Sequence, residues 1–306
     1  MIDGVVLWGM NNIFTVLVGD KKIECRIKGK VLKDRVKAYN PLTSGDIVSL
    51  ELDSISETHG MITSRKERTN HFSRWNKKRN APQIIAANVD QVICVCSPAS
   101  PPFRPRFIDR ALISAENGDI KPIVVLNKID QPIDDDVENR LKGYEELGYK
   151  VLRVSAKTGE NIEELRSILN DKVTAFVGQS GVGKSTLLNS LNPELMLRVG
   201  EISAKFNRGK HTTCVAVMVP LDHYSIIDTP GIRELNLFGV DPKVLSHFYP
   251  EFDKYWGECR FKGCTHTHEP GCVIKEAIEN GEIDVDRFKG YNSIIAELKD
   301  SSLKLY

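Results

Sequence analysis

The run Gly178-Gln179-Ser180-Gly181-Val182-Gly183-Lys184-Ser185 fits the pattern Gly-x-x-x-x-Gly-Lys-(Ser/Thr), and its residue types suit the holding of a polyphosphate. Glycines let the backbone curl around an anion with its N–H groups turned inward. Lys184 offers a point charge to β- and γ-phosphates, and the Ser185 hydroxyl, followed by Thr186, suits a Mg²⁺ ligand. A chance glycine-rich turn could share these letters, but it would lack the flanks. Val173 to Val177 is an apolar run that reads as a buried strand, and Thr186 to Leu191 reads as a helix whose N-terminus adds positive charge.

Two other stretches carry base-reading chemistry. In Asn127-Lys128-Ile129-Asp130 the carboxylate of Asp130 can accept from both N1–H and the exocyclic amine of guanine. Adenine offers neither donor and would leave the carboxylate unpaired, so such a site discriminates strongly. Lys128 can lay its aliphatic stem along the base plane. In Ser155-Ala156-Lys157 a backbone N–H can contact guanine O6. Each stretch alone is a weak signal; both at strand ends in one sheet with a phosphate loop point to GTP and GDP. Downstream, in Asp228-Thr229-Pro230-Gly231, Asp228 is placed to hold Mg²⁺ through water and Gly231 to sense the γ-phosphate. Arg208 to Thr213 is a polar loop from which a threonine, Thr213 rather than Thr212, can reach Mg²⁺ in the triphosphate state.

Cys259-x-x-x-x-Cys264-x-His266-x-x-x-x-x-Cys272 offers three thiolates and one imidazole. Four such ligands close a tetrahedral zinc shell with no open position, which makes the expected zinc structural. His268 is a fifth candidate. The bland alternative is reduced surface cysteines beside incidental histidines. The chain has seven cysteines, an odd number that argues against a disulfide framework in a reducing compartment.

The elements that must carry these residues are legible as patterns. Residues 1 to about 64 alternate apolar and polar, as in Ile23 to Ile27 and Val48 to Leu52, with turn signals at Gly19-Asp20 and Ser44 to Asp46. They are expected to form a small barrel, best an OB-fold, with another small β-domain as the alternative. Residues 65–79 hold seven Lys/Arg against Glu67 alone, interleaved with His71, Phe72 and Trp75. That mixture suits RNA, whose phosphates bind cations and whose unpaired bases stack on flat rings, and equally a solvated linker. From about Ala86 apolar strands (89–96, 123–126, 151–154) alternate with helical stretches (107–117, 137–147, 161–169), the signature of a mainly parallel sheet covered by helices. Val273 to Asn280 and Val285 to Leu298 read as two terminal helices.

At 306 residues the chain has room for two or three domains. Its lack of a long apolar run or a leader sequence reads as a cytoplasmic protein with no membrane contact. Net charge is +1, but residues 1–80 carry 15 Lys/Arg against 9 Asp/Glu. The basic N-terminal part points to a polyanion partner.

The five nucleotide elements resemble those of translation-factor-related GTPases, in a different order: the base-reading loops at 127–130 and 155–157 precede the phosphate loop at 178–185, the loop at 208–213 and the run at 228–231. With a basic barrel in front and a cysteine cluster behind, the whole chain is similar to the circularly permuted, small-ribosomal-subunit-dependent GTPase A family of bacteria. The resemblance implies an OB-fold, a permuted GTPase domain and a zinc domain, divided here as 1–75 (RNA-binding), 76–87 (basic linker), 88–237 and 238–306. It ranks His266 above His268 as the zinc ligand. It implies GTP hydrolysis with Lys184 and Mg²⁺ stabilising charge, in late maturation of the small subunit. Binding is implied to rRNA near the decoding region, with turnover raised by the subunit; the protein is expected to be a monomer. In Ras-like GTPases the residue after Asp-x-x-Gly is a glutamine that orients water; here it is Ile232, so intrinsic hydrolysis should be slow and His211 or a group from the ribosome must help. The competing expectations are an RNA-binding assembly chaperone whose hydrolysis only resets it, and a helper of an RNA-modifying enzyme, for which no second catalytic constellation is present.

Overall fold

The alternating N-terminal residues become five strands in the computed structural model, which describes residues 1–29, 32, 38–193 and 215–303. β1 (Ile2–Met10), β2 (Ile13–Val18), β3 (Lys21–Ile27), β4 (Ile47–Leu52) and β5 (His59–Arg65) close a barrel in the order β1-β2-β3-β5-β4. All pairings are antiparallel except β3 with β5. The β1–β2 turn is Asn11-Asn12, both at positive φ (52° and 62°), the two-residue geometry that matches hairpin twist. Val6, Phe14, Val16, Val48, Leu50 and Ile62 fill the interior, which gives the expected OB-fold barrel.

The segment expected as a basic linker is instead largely strand. β6 (His71–Asn76) and β7 (Ala81–Ala87) form an antiparallel hairpin, so a boundary at residue 75 would cut β6 in two. The cations mask an apolar stripe: Phe72 and Ala86 are fully buried, and Ile84 and Ile85 nearly so. Lys77, Lys78, Arg79 and Asn80 are the exposed tip, with Asn80 at φ 48° in the turn.

Beyond the hairpin, β8 (Gln91–Cys96), α1 (Pro105–Glu116), β9 (Lys121–Asn127), α2 (Asp135–Glu146), β10 (Lys150–Val154), α3 (Ile162–Ser167), β11 (Val173–Gly178), α4 (Lys184–Leu191), β12 (Val217–Pro220) and β13 (Ser225–Asp228) follow in order. Their sheet runs β10-β9-β8-β11-β13-β12, parallel except for the β12–β13 pair. The near-continuous burial of β8 and β9 is what a strand covered on both faces requires. The barrel docks through Ser44, whose hydroxyl sits between the carbonyl oxygens of Leu7 (2.9 Å) and Ala216 (2.8 Å).

The C-terminal part comprises 3₁₀ turns at Leu245–Phe248 and Pro250–Tyr255, then α5 (Val273–Glu279) and α6 (Val285–Leu303), around a core that includes Leu245, Tyr249, Phe252, Ile274 and Tyr291. It is joined to α1 and α2 by buried charge. Asp109 accepts from Arg287 (2.6 Å) and Tyr144 (2.7 Å) and pairs with Arg140 (3.3 Å), while the Arg287 guanidinium also grips Glu251 (2.7 and 3.0 Å). A buried carboxylate needs such partners, since stripping one leaves an uncompensated charge. No helix among the described residues is long and apolar enough to cross a membrane.

Candidate functional site

Five parallel strands end on one side of the sheet, and four of the five nucleotide elements hang from those ends. Gly178 closes β11, Asn127 closes β9, Asp228 closes β13 and Ser155 follows β10. The chain order reverses direction across the sheet between β8 and β11, the place where open α/β sheets bind ligands.

Gly178 to Gly183 form the turn before Lys184, the first residue of α4. Gly181 and Gly183 sit at φ 88° and 89°, where only glycine is unstrained, and a Cβ on Gly183 would run into Asn127 Nδ2. That contact is a real tie: Asn127 Nδ2 donates to Val182 O (3.0 Å), and its Oδ1 accepts from the Ala156 N–H (3.0 Å). One buried amide therefore holds the phosphate loop and both base-reading loops together. Lys128, at φ 70°, donates from its ammonium to Gly181 O (2.7 Å) and Ser100 O (2.5 Å), which stretches its stem across the site. Asp130 accepts from Ser155 Oγ (2.7 Å) and lies 3.7 Å from Lys157 Nζ. The Ser155 hydrogen bond foremost holds its carboxyl below the usual range, so it is an ionised acceptor at neutral pH. Ile129 packs against the main core, while Ser185 and Thr186 are exposed and Gln179 is nearly buried.

Lys184 is only 8% exposed, and burial lowers its pKa against the pull of Asp228. Asp228 lies opposite Phe176 of β11, and its shielded Oδ1 has no hydrogen-bond partner among the described residues. That orphaned oxygen beside the phosphate loop fits a Mg²⁺ site completed by Ser185. Burial pushes the Asp228 carboxyl up to about 6, with Lys184 pulling the other way. The native chain then binds more protons than the unfolded one between 3.8 and about 6, so stability falls as pH rises through that window and the penalty is complete above it. Asp228→Asn should raise the melting temperature of nucleotide-free, Mg²⁺-free protein at pH 8, by on the order of 2 kcal/mol of stability, and by clearly less at pH 4.5. Equal gains at both pH values would contradict this account of the carboxyl.

Gly231 touches the phosphate loop, where a Cβ would meet the Ser180 backbone at 3.1 Å, and Ile232 donates its N–H to Gly178 O (3.1 Å) while its side chain is buried. His211 and Thr213, with the whole loop from Arg208 to Thr213, lie outside the described residues.

At the other end of the molecule Cys259, Cys264, His266 and Cys272 present four ligand atoms within 4.8 Å of one another. His266 Nδ1 is 3.6 Å from Cys259 Sγ and 3.4 Å from Cys272 Sγ, and those two sulfurs are 3.9 Å apart. A tetrahedral zinc with Zn–S about 2.3 Å and Zn–N about 2.0 Å needs ligand separations of roughly 3.5–3.8 Å, so the donor set fits that ion. Burial pushes the Cys264 thiol up to about 12 and lowers the His266 pKa, favouring the neutral imidazole that ligates. His268 is exposed and bonded to Thr267 instead. Sequence reasoning missed Glu269, which collects the Thr265 and Thr267 N–H groups (both 3.0 Å), the His268 N–H (3.1 Å) and the Thr265 hydroxyl (2.6 Å). Burial opposes its charge, yet these donors hold it well below the usual carboxylate range and shape the ligand loop. The signal available was an acid directly after Thr265-His266-Thr267-His268.

Residues 65–238 match the family model described as RsgA GTPase. The chain is 41% identical over 297 residues to a "Small ribosomal subunit biogenesis GTPase RsgA" from Borreliella burgdorferi, covering 96% of each. Among solved structures it resembles YjeQ from Thermotoga maritima (TM-score 0.71, 32% identity, 97% of this chain and 98% of that one). It also resembles YloQ, a circularly permuted GTPase (TM-score 0.69, 29% identity, 98% and 96%).

Proposed function

Because the chain belongs to the RsgA GTPase family, a family of GTP hydrolases, we infer that it hydrolyses GTP in the biogenesis of the small ribosomal subunit, in the cytoplasm. The observation that carries the reading is the Asn127 amide, which binds the phosphate loop to the two loops suited to guanine. In this reading Asp130 accepts from guanine N1–H and its amine, Lys128 covers the base, and the N–H groups of residues 178–183 surround the β-phosphate. Ser185, and Asp228 through water, would hold Mg²⁺, which would neutralise charge on the phosphates. Lys184 stabilises the charge that develops as water attacks the γ-phosphate in line. Ile232 leaves the water without a side-chain partner, a role that would fall to His211 or to the ribosome, and Thr213 would be a further ligand of the metal in the triphosphate state. Cys259, Cys264, His266 and Cys272 hold one zinc whose task is to fold the C-terminal loop.

The hairpin tip at Lys77, Lys78 and Arg79 is the proposed contact with rRNA, near the decoding region. Arg74 is set apart from it, because its guanidinium is engaged by Gln83 (3.1 Å) and Glu234 O (3.4 Å). Replacing the three tip cations with alanine should weaken co-sedimentation with small subunits. It should also flatten the salt dependence, by roughly 0.7–0.9 in log–log slope for each phosphate that is no longer neutralised. GTP affinity should stay unchanged. Undiminished binding at every salt concentration would remove the tip from the interface.

A further inference from the structure

The segment from Gly231 to Phe238 runs from the phosphate loop to the basic hairpin, and it is tied at both ends. At its start Gly231 abuts Ser180 and Ile232 bonds to Gly178 O. At its far end the Trp75 N–H donates to Asn236 O (2.8 Å), and the Trp75 indole stacks on Phe238 with centroids 6.1 Å apart and planes at 21°. Arg74 reaches Glu234 O, and Asn117 Nδ2 donates to Phe238 O (3.4 Å). Between the ends, Ile232 and Leu235 are buried in the main core (4% and 2% exposed), so the segment is packed rather than free.

The hairpin side of the contact is equally firm. Phe72 is fully buried, Ser114 Oγ of α1 donates to Ser73 O (2.7 Å), and Gly118 admits no Cβ because His71 O fills that space. Trp75 is the last ring before the tip cations, half-buried and stacked on Phe238. Packed elements with both ends held shift as units, so a displacement at one end is felt at the other.

We propose that Trp75 is a positioning residue for GTP hydrolysis: its stack on Phe238 couples polyanion contact at the Lys77-Lys78-Arg79 tip to Gly231 at the phosphate loop. Coupling of this kind is reciprocal in binding, so the nucleotide state must also be felt at Trp75. The tip half of the inference rests on the proposed contact with the small subunit; the nucleotide half does not.

The test uses the full chain with Trp75→Ala, the conservative Trp75→Phe, and Phe238→Leu, which keeps bulk but removes the stack if the alanine variant fails to fold. With purified small subunits as probe, Trp75→Ala should keep basal turnover within about twofold and keep subunit binding, while stimulated kcat falls about tenfold. Trp75→Phe should restore most of it, a pattern that mere loss of packing would not give. Independently, the part of the intrinsic emission that disappears in Trp75→Phe should differ between GDP and a non-hydrolysable GTP analogue, and Phe238→Leu should abolish the difference. Full stimulation in Trp75→Ala, or the same Trp75 emission in both nucleotide states, would overturn the inference. If the unsubstituted chain shows no stimulation at all, the proposed function fails, and the emission measurement decides the coupling alone.

Discussion

Lys184→Ala should lower kcat for GTP by about 10²–10³-fold, the usual cost of removing one preorganised charge donor from a transition state. The side chain is the first of α4, almost wholly buried, and directed into the site that also holds Asp228. Its desolvation is a cost in the free protein, which is what makes the ammonium effective once phosphate charge develops beside it. For that reason the variant should fold normally: alanine removes a buried charge and is a strong helix former. Single-turnover phosphate release with the protein in saturating excess over GTP isolates the chemical step from binding. A kcat within a few fold of the unsubstituted protein would move the charge-stabilising role elsewhere.

Cys272→Ser should leave the purified chain with well under one equivalent of zinc and a C-terminal part that melts separately and early. Cys272 is 3% exposed, would ligate from the start of α5 and is itself part of the apolar core with Ile274 and Tyr291. The loop from Trp256 to Gly271 contributes little to that core, so metal binding supplies on the order of several kcal/mol of its folding energy. His268→Ala is the matched control and should retain full zinc. Metal analysis showing full occupancy in Cys272→Ser would contradict the four-ligand site, and equal loss in His268→Ala would mean that the imidazole had been assigned to the wrong histidine.

Sites built from chemistry were legible because the chemistry demands residue types at set spacings. The phosphate loop, Asn127 to Asp130 and the cysteine cluster were readable for that reason, and their flanking strands followed from apolar runs. The hairpin of β6 and β7 was not, because the surrounding cations outweigh Phe72 and the Ile84-Ile85 pair in any local pattern. Trp75 showed the limit most clearly. A ring among cations reads as a base-stacking platform, and only a partner far along the chain, Phe238, reveals another use. Asp109 and Arg287, 178 residues apart in the chain, meet in the interior where the C-terminal part docks. Contacts between distant segments leave no periodicity for sequence reasoning to find.

The proposed function is that of a GTP hydrolase whose turnover answers to the small ribosomal subunit. Its most direct test is steady-state GTP turnover by the zinc-loaded full chain, alone and with equal amounts of purified small subunits, large subunits or free rRNA. The account predicts slow turnover alone and with large subunits, as Ile232 implies, and a rise of an order of magnitude or more with small subunits. Equal rates under all four conditions would contradict it.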